Sequence, residues 1–203
     1  EIMPSLVGSE MCIRDSVGGA LHLSIAAGIG LGTLARWLGT ERVVRAMPNT
    51  PALVGQGMTG LYTPAATPDA DRELAESALR STGQLLWVDD EALIDSVTAV
   101  SGSGPAYVFF FIEALEQAGV EMGLTAEQAH QLAVGTFTGA SALAAASNDT
   151  PAVLRQRVTS KGGTTFAAIS SMEADRVKDS IVRALHAARL RAQELEQEFG
   201  RAD

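Results

Sequence analysis

Residues 151–173 have the sequence PAVLRQRVTSKGGTTFAAISSME, and the rest of the chain is interpreted around this stretch. At its centre a glycine pair, Gly162 and Gly163, is followed by two threonines, and an apolar pattern resumes at Phe166. The pattern predicts a helix, a tight turn and the N-terminus of a second helix. Such an N-terminus offers unpaired N–H groups and a partial positive charge, which suit a small anion such as a carboxylate. A plain glycine turn between two packed helices is the alternative.

The composition is that of an ordinary soluble globular protein. The chain has 203 residues, of which 46% are hydrophobic and 19% charged, and its formal net charge is −9. This length is enough for one domain or two small ones. An acidic chain argues against nucleic-acid binding, which needs a clustered basic surface. The central apolar run at residues 106–112 is far shorter than the roughly 20 residues that cross a bilayer. We therefore expect neither a nucleic-acid partner nor a membrane span.

Metal and disulfide chemistry have no support in the sequence. The single cysteine, Cys12, cannot form an internal disulfide, and His22, His130 and His186 lie far apart. We therefore expect no metal site. The scarcity of cysteine is compatible with a cytoplasmic location.

The first sixteen residues differ in pattern from the rest of the chain. Residues 1–16, EIMPSLVGSEMCIRDS, show neither helical nor strand periodicity, and they lack the basic start and unbroken apolar core of a signal peptide. The string PSLVGSEMCIRDS resembles translated sequencing-adapter read-through. We therefore interpret residues 1–16 as an unstructured artefact and leave them, with Cys12, out of the fold argument.

Residues 17–92 have the pattern of the end of an α/β domain. Short apolar runs predict strands at 20–27, 42–47, 58–63 and 85–88, and helical spacing predicts helices at 31–38 and 68–81. In open α/β sheets, ligands bind at the carboxyl ends of the strands. The corner at Gly28 and the loop Pro48–Pro51 are therefore candidate ligand sites, with plain tight connections as the alternative.

The glycines at positions 28, 30 and 32 do not form a phosphate-binding fingerprint. Their spacing is not that of GxGxxG, and no acidic residue follows at the expected distance of about 20 residues.

From residue 93 onward the strand signals disappear, and the pattern predicts an all-α domain. The helix after the break at Ser101–Pro105 is apolar all round between Tyr107 and Ile112, so we expect it to be buried on every side. Thr125–Gln128 fits a capping box. Small residues at 135–142 permit close helix packing. A domain this small cannot cover so much apolar surface alone, and we therefore expect it to self-associate.

Three segments together resemble the pyrroline-5-carboxylate reductase family: RAMPNTP at Arg45–Pro51, SGSGPAY at Ser101–Tyr107, and residues 151–173. The similarity extends through SIAAG at Ser24–Gly28. The resemblance implies an oxidoreductase that reduces 1-pyrroline-5-carboxylate to L-proline with NADPH or NADH, the last step of proline biosynthesis. It implies a Rossmann-type α/β cofactor domain, of which residues 17–92 are the remnant. Residues 93–203 would be an all-α dimerisation and substrate domain, similar to the C-terminal domain of 6-phosphogluconate dehydrogenase, that forms a homodimer or a higher homo-oligomer.

The resemblance also implies roles for individual residues. Thr165 would be the catalytic hydroxyl near the ring nitrogen, and the substrate would contact Gly163, Thr164, Thr165 and Asn148. The cofactor would contact Ile25, Ala26, Ala27, Asn49 and Arg157. Reduction of an imine needs a hydride and a held geometry rather than a nucleophile or a metal. This chemistry agrees with the absence of a catalytic histidine, acid pair or cysteine in the pattern.

The chain departs from the family in one respect. The resemblance implies further strands and a glycine-rich phosphate loop before Val17, where this sequence has residues 1–16. We therefore expect a truncated reading frame that is inactive as it stands. Two alternatives remain: a reductase of another small substrate with the same two-domain plan, and a non-catalytic helical dimerisation module. The two ligand-ready turns argue against the second alternative.

Overall fold

The computed structural model describes residues 19–200, so the predicted artefact at residues 1–16 lies outside the described residues. The chain divides into two compact units. The first comprises the described residues up to Ser103 together with those from Ala187 onward, and the second is Gly104–His186. This division falls later than residue 93 because a short helix that begins there packs on the sheet of the first unit. The functional domain limits 17–92 and 93–203 stay a prediction.

The first unit contains every strand and helix that the apolar runs predicted, with ends shifted by a few residues. In chain order these are β1 (His22–Ser24), α1 (Leu31–Leu38), β2 (Val43–Met47), β3 (Gly57–Tyr62), α2 (Asp69–Leu79), β4 (Gly83–Trp87) and α3 (Leu93–Val97). A 3-10 helix at Thr50–Val54 follows β2, and a turn of π-helix at Thr98–Gly102 follows α3.

The four strands form one sheet in the order β1-β2-β3-β4. The outer pairs are parallel, with His22 opposite Val43 and Gly57 opposite Gly83. Strands β2 and β3 are antiparallel. The antiparallel direction of this pair was not predicted from the sequence. Its physical reason is the connection at residues 48–56, which is shorter than the crossover that a parallel pair requires.

Helices cover both faces of this sheet. Because side chains alternate along a strand, neighbouring residues of β2 belong to different layers. One layer joins the sheet to α2 through a buried cluster of Val44, Ala46, Leu61, Ala75 and Leu79. The other layer joins Val43 to Leu31 and Leu34 of α1. Two-sided burial explains the largely apolar sequences of the central strands β2 and β3.

The second unit is helical. It contains α4 (Gly104–Glu121), α5 (Ala126–Ala146), α6 (Pro151–Arg157), α7 (Thr164–Ala174) and the first part of α8 (Val177–Gly200). The predicted capping box is present, since Thr125 Oγ1 accepts from Gln128 N at 3.2 Å and Gln128 Oε1 accepts from Thr125 N at 2.9 Å. Between residues 93 and 200 the structure contains no strand. The α/β part is therefore followed by an all-helical part, as predicted.

Helix α4 is not buried on every side within one chain. Among its residues only Gly119 is buried, where it packs on Ala129 of α5. Phe110 is 69% exposed, and Phe109 and Val108 are also exposed. The expectation of full burial is thus not met by a single copy, which leaves a large apolar surface of the kind that marks an interaction site. None of the helices within residues 19–200 is long and apolar enough to cross a membrane.

Candidate functional site

The glycine pair forms the predicted turn between α6 and α7. Gly162 has φ +78°, a left-handed conformation that favours glycine. Gly163 is the N-cap of α7, and its N–H donates to Ser160 O at 3.0 Å. A Cβ atom at Gly163 would lie 3.0 Å from Ser160 Oγ, so the turn has little room for a side chain. The helix, turn and helix predicted for residues 151–173 are confirmed.

The N-terminus of α7 carries free hydrogen-bond donors. Because Gly163 has no side chain, nothing caps the helix from within, and the first helical bond runs from Ala167 N to Gly163 O at 3.1 Å. The N–H groups of Thr164, Thr165 and Phe166 have no partner among residues 19–200. Thr164 is exposed and Thr165 is half-buried. These donors and the helix dipole can together bind a small carboxylate.

Asn148 and Arg157 lie at the two ends of α6. Asn148 precedes the helix and is exposed, and Arg157 is its last residue. The Arg157 Nη1 group donates to Asp149 Oδ2 at 2.5 Å, which links the two ends of this helix. The Arg157 charge is therefore already paired within the unit. A ligand would have to share that charge with Asp149.

The predicted cofactor residues of the first unit lie at one edge of the sheet. Ile25, Ala26 and Ala27 directly follow β1, and Asn49 follows β2. Because β1 and β2 are parallel, their carboxyl ends meet at the same edge. We call the segment between β1 and α1, residues 25–30, the 25–30 corner. The structure thus brings these four residues to one sheet edge, which is the position that α/β sheets use for ligands.

The amide of Asn49 is used inside the first unit. Its Nδ2 donates to the carbonyl oxygen and the Oγ of Ser101, both at 3.2 Å, and its Oδ1 accepts from Met58 N at 2.9 Å. Asn49 therefore fixes the shape of the loop after β2 against β3 and the π-helical turn. The Asn49 amide is therefore already engaged, and a ligand at this loop would meet mainly the neighbouring backbone. No local pattern indicated the role of Ser101.

A buried arginine beside this edge was also missed. The side chain of Arg45, on β2, is only 2% exposed, and its Nη1 donates to Glu91 Oε1 at 2.8 Å. Glu196 Oε1 of α8 lies 3.5 Å from the same nitrogen. The backbone N–H of Leu31, at the start of α1, donates to Glu91 Oε1 at 2.6 Å. The acidic residues around Glu91 were visible in the sequence, but their partners were not.

This network explains why the glycines near α1 are not a phosphate-binding turn. The N-terminus of α1 already holds the Glu91 carboxylate, so a phosphate there would meet a negative charge. A Cβ atom at Gly28 would lie 3.0 Å from Leu195 Cβ, and one at Gly30 would lie 2.5 Å from Glu196 Oε1. Glycine is therefore favoured at position 28, where φ is +74° and the end of α8 packs closely, whereas a side chain at position 30 would displace the flexible end of Glu196.

Two buried aspartates in the first unit have pKa values shifted in opposite directions. Burial raises the pKa of Asp95, on α3, although Arg45 and Arg189 partly offset the rise. Asp71, on α2, accepts Nε and Nη2 of Arg42 at 2.8 and 2.6 Å, and these bonds lower the pKa of Asp71.

These shifts predict opposite effects of the two Asp→Asn substitutions on stability. Because the pKa of Asp95 is raised in the folded state, the native state favours the protonated carboxyl group. Ionisation of Asp95 at neutral pH therefore lowers the free energy of unfolding. Asp95→Asn should therefore raise the urea midpoint at pH 7, and the gain should shrink as the pH falls through the raised pKa. The pKa of Asp71 is lowered, so its ionised carboxylate stabilises the fold at any pH above the pKa that Asp71 has in the unfolded chain. Asp71→Asn should therefore lower the urea midpoint at pH 7. That loss should fade in acid. A lower midpoint for Asp95→Asn at pH 7 would contradict the first expectation.

An open cleft of about 440 Å³ lies between α6 and α7. Val153, Phe166 and Ile169 line it, and Arg155 Nη1 donates to Glu173 Oε1 at 2.9 Å beside it. None of the predicted substrate residues lines this cleft. The apolar side chains of this cleft add to the exposed apolar surface of the helical unit. Within residues 19–200 no group of three or more His, Cys, Asp or Glu side chains could hold a metal ion.

The chain combines two parts. In the α/β part, the candidate cofactor residues lie at the carboxyl edge of the sheet. The helical part that follows has a glycine turn and an uncapped helix N-terminus that suit an anion. A family profile described as pyrroline-5-carboxylate reductase dimerisation matches residues 91–195. The chain belongs to the pyrroline-5-carboxylate reductase family, as the sequence motifs indicated.

Known proteins of this family resemble the chain closely. It is 50% identical over 181 residues to the Pseudomonas aeruginosa pyrroline-5-carboxylate reductase, an alignment that covers 89% of this chain and 66% of that protein. The Haemophilus influenzae enzyme of the same name is 40% identical, with 88% and 67% covered. The chain thus spans about two thirds of the length of these relatives.

Solved structures of the family share the fold. The pyrroline-5-carboxylate reductase of Coxiella burnetii matches with a TM-score of 0.85 at 40% identity, covering 92% of this chain and 71% of that one. The Plasmodium falciparum pyrroline carboxylate reductase, solved with NADP bound, matches with a TM-score of 0.83 at 31% identity, covering 95% and 78%.

Proposed function

We propose that this chain serves the reaction of its family, the reduction of 1-pyrroline-5-carboxylate to L-proline with NAD(P)H as the last step of proline biosynthesis, and that the 203 residues alone do not turn the substrate over. The observation that carries the proposal is the uncapped N-terminus of α7 behind Gly162 and Gly163, with half-buried Thr165 at its second position. Free N–H donors suit the substrate carboxylate, and a hydroxyl beside them suits the ring nitrogen.

Each residue of this turn has a part in the proposed reaction. The N–H groups at the start of α7, from Thr164 and Thr165, hold the carboxylate and so fix the orientation of the ring. The close turn at Gly163 lets the backbone approach the ligand. The Thr165 hydroxyl hydrogen-bonds the ring nitrogen, which becomes the amine nitrogen of proline when hydride adds to the carbon of the protonated imine. Asn148 contributes a further polar contact to the substrate.

The cofactor NADPH or NADH supplies the hydride when bound. We assign Ile25, Ala26, Ala27 and Asn49 to its binding site, with Arg157 as a further polar contact. The fit rests on the position of the first four at the carboxyl edge of β1 and β2, where Ala26 and Ala27 have small side chains. The Plasmodium falciparum relative was solved with NADP bound, which supports a nicotinamide cofactor for this fold.

We also propose that the functional unit is a homodimer or a higher homo-oligomer built through residues 93–203, with residues 17–92 as the cofactor part. The exposed apolar surface of α4 supports this assembly, as does the family match over residues 91–195. We propose a cytoplasmic location with neither a membrane nor a nucleic-acid partner. The net charge of −9 and the near absence of cysteine support this location.

The test uses two chains. One is the 203-residue chain, and the other is an extended chain in which the part of the Pseudomonas aeruginosa relative that this chain does not match replaces residues 1–16. Loss of NADPH and of NADH is followed with pyrroline-5-carboxylate, and, for comparison, formation of NADPH and of NADH from the oxidised cofactors is followed with small hydroxy acids. We expect the extended chain to oxidise cofactor only with pyrroline-5-carboxylate. We expect no turnover by the 203-residue chain. Turnover of hydroxy acids by the extended chain would favour another reductase of the same plan, and no turnover of any substrate by the extended chain would overturn the proposal.

Thr165→Ala in the extended chain should lower kcat/KM for pyrroline-5-carboxylate by roughly 10- to 100-fold, because one hydrogen bond to the reacting nitrogen contributes about 1–3 kcal/mol. Stability should hardly change, since the Thr165 side chain makes no hydrogen bond within residues 19–200. Thr159→Ala is the matched control, because its Oγ1 donates to Arg155 O at 2.6 Å and so is already used at the C-terminal end of α6. Equal kinetics for the two variants would remove Thr165 from the site.

A further inference from the structure

We propose that Glu91 is a positioning residue that holds the 25–30 corner in place for the cofactor. The inference rests on the proposed function of that corner. Glu91 lies in the connection between β4 and α3, which no sequence motif linked to the cofactor.

The 25–30 corner has little to hold it from within. Gly30 is the N-cap of α1 and offers no side chain to the helix N–H groups. Gly28 has φ +74°, a conformation that helps the chain to turn but adds no bond. The side chain of Ser24, on the preceding strand, supplies a hydrogen bond in which Ser24 Oγ accepts from Ala26 N at 3.3 Å. The corner therefore depends on groups from elsewhere in the chain.

Glu91 supplies the missing cap. Its Oε1 accepts the Leu31 N–H at 2.6 Å, although the two residues are 60 positions apart. A carboxylate at a helix N-terminus satisfies an orphan donor and interacts favourably with the helix dipole. The cap thus fixes where α1 begins and where the corner before it ends.

The same oxygen also fixes the neighbouring strand. Glu91 Oε1 accepts Arg45 Nη1 at 2.8 Å, and Arg45 lies two residues before the end of β2. Strand β2 leads into the Asn49 loop, which is the other proposed cofactor segment. One carboxylate therefore ties together the two segments that must present backbone to the same ligand. Productive geometry in a binding site depends on such support from residues that do not touch the ligand.

Hydrogen exchange of the Leu31 amide tests the cap in the 203-residue chain. Glu91→Ala should speed this exchange by about tenfold, the usual effect of losing a cap, whereas Glu91→Gln keeps an acceptor and should have a smaller effect. Glu196→Gln is the matched control, because Glu196 contacts Arg45 but not Leu31. Unchanged Leu31 exchange in Glu91→Ala would overturn the proposal.

Kinetics of the extended chain test the positioning role. Glu91→Ala should raise the KM for NADPH roughly tenfold and leave the KM for pyrroline-5-carboxylate nearly unchanged, with partial rescue in Glu91→Gln. Faster Leu31 exchange without a selective rise in the cofactor KM would make the cap merely structural and would also overturn the proposal. If the extended chain without any substitution shows no turnover, the proposed function is wrong. The Leu31 exchange data test the hydrogen bond from Leu31 to Glu91 independently of that outcome.

Discussion

Phe110→Glu is expected to turn the chain from a dimer into a monomer. The physical reason is the large uncovered surface of the helical unit, where α4 has one buried residue, Gly119, and Phe110 is 69% exposed. An obligate interface between two copies buries more than about 2,000 Å². A charge at the centre of such an apolar surface would have to be buried unpaired. Loss of a central aromatic residue alone raises a dissociation constant by roughly 30-fold or more.

Light scattering coupled to size-exclusion chromatography measures the effect directly. The unaltered chain should have twice the mass of the 21.2 kDa chain, and Phe110→Glu should have the mass of one chain across the same concentrations. Leu74→Glu is the matched control, because Leu74 is also an exposed apolar residue but lies on α2 of the first unit. Circular dichroism checks that both variants keep their helices. An unaltered chain that is monomeric and melts cooperatively would contradict the expectation.

Local features of the fold could be predicted from the sequence because they depend on residues close together in the chain. Thr125 and Gln128 form the capping box that their spacing indicated. The glycine pair forms the predicted turn because Gly162 has a left-handed backbone, a conformation that glycine adopts without strain. The central strands β2 and β3 were visible because both of their faces are largely buried.

Long-range features could not be predicted in the same way. The antiparallel pairing of β2 with β3 leaves no mark on either apolar run. Asn49 was identified through the family motif. The hydrogen bond that its amide donates to Ser101 could not be predicted, because the two residues are 52 positions apart. Arg45 stood within an apolar run and gave no sign that its partners would be Glu91 and Glu196.

The largest effect on stability is expected from Arg45→Met. The arginine side chain is 2% exposed, and its removal would leave the carboxylates of Glu91 and Glu196 close together without a cation. Removing one partner of a buried ion pair usually costs about 3–5 kcal/mol of unfolding free energy. We expect a loss of about 3 kcal/mol, at the lower end of this range. The two glutamate side chains stay 27% and 33% exposed, so water can partly solvate them.

Urea unfolding followed by tryptophan fluorescence measures this loss in the first unit, since both tryptophans, Trp37 and Trp87, belong to it. The matched control is Arg191→Met. Arg191 also pairs with two glutamates, Glu194 and Glu198, at 3.0 and 2.9 Å, but its side chain is 54% exposed. Exposed ion pairs contribute little to stability, so the control should unfold at nearly the same urea concentration as the unaltered chain.

A double variant separates the loss of Arg45 from the repulsion that it leaves behind. Adding Glu91→Gln to Arg45→Met removes one of the two unpaired carboxylates, while the amide oxygen introduced at position 91 can still accept the Leu31 N–H. If uncompensated charge causes the loss, the double variant should recover a large part of it, as neutral replacement of a buried pair often does. If the double variant is less stable than Arg45→Met alone, packing of the arginine stem and the cap on α1 outweigh the charge. Equal midpoints for Arg45→Met and Arg191→Met would contradict the buried-pair argument altogether.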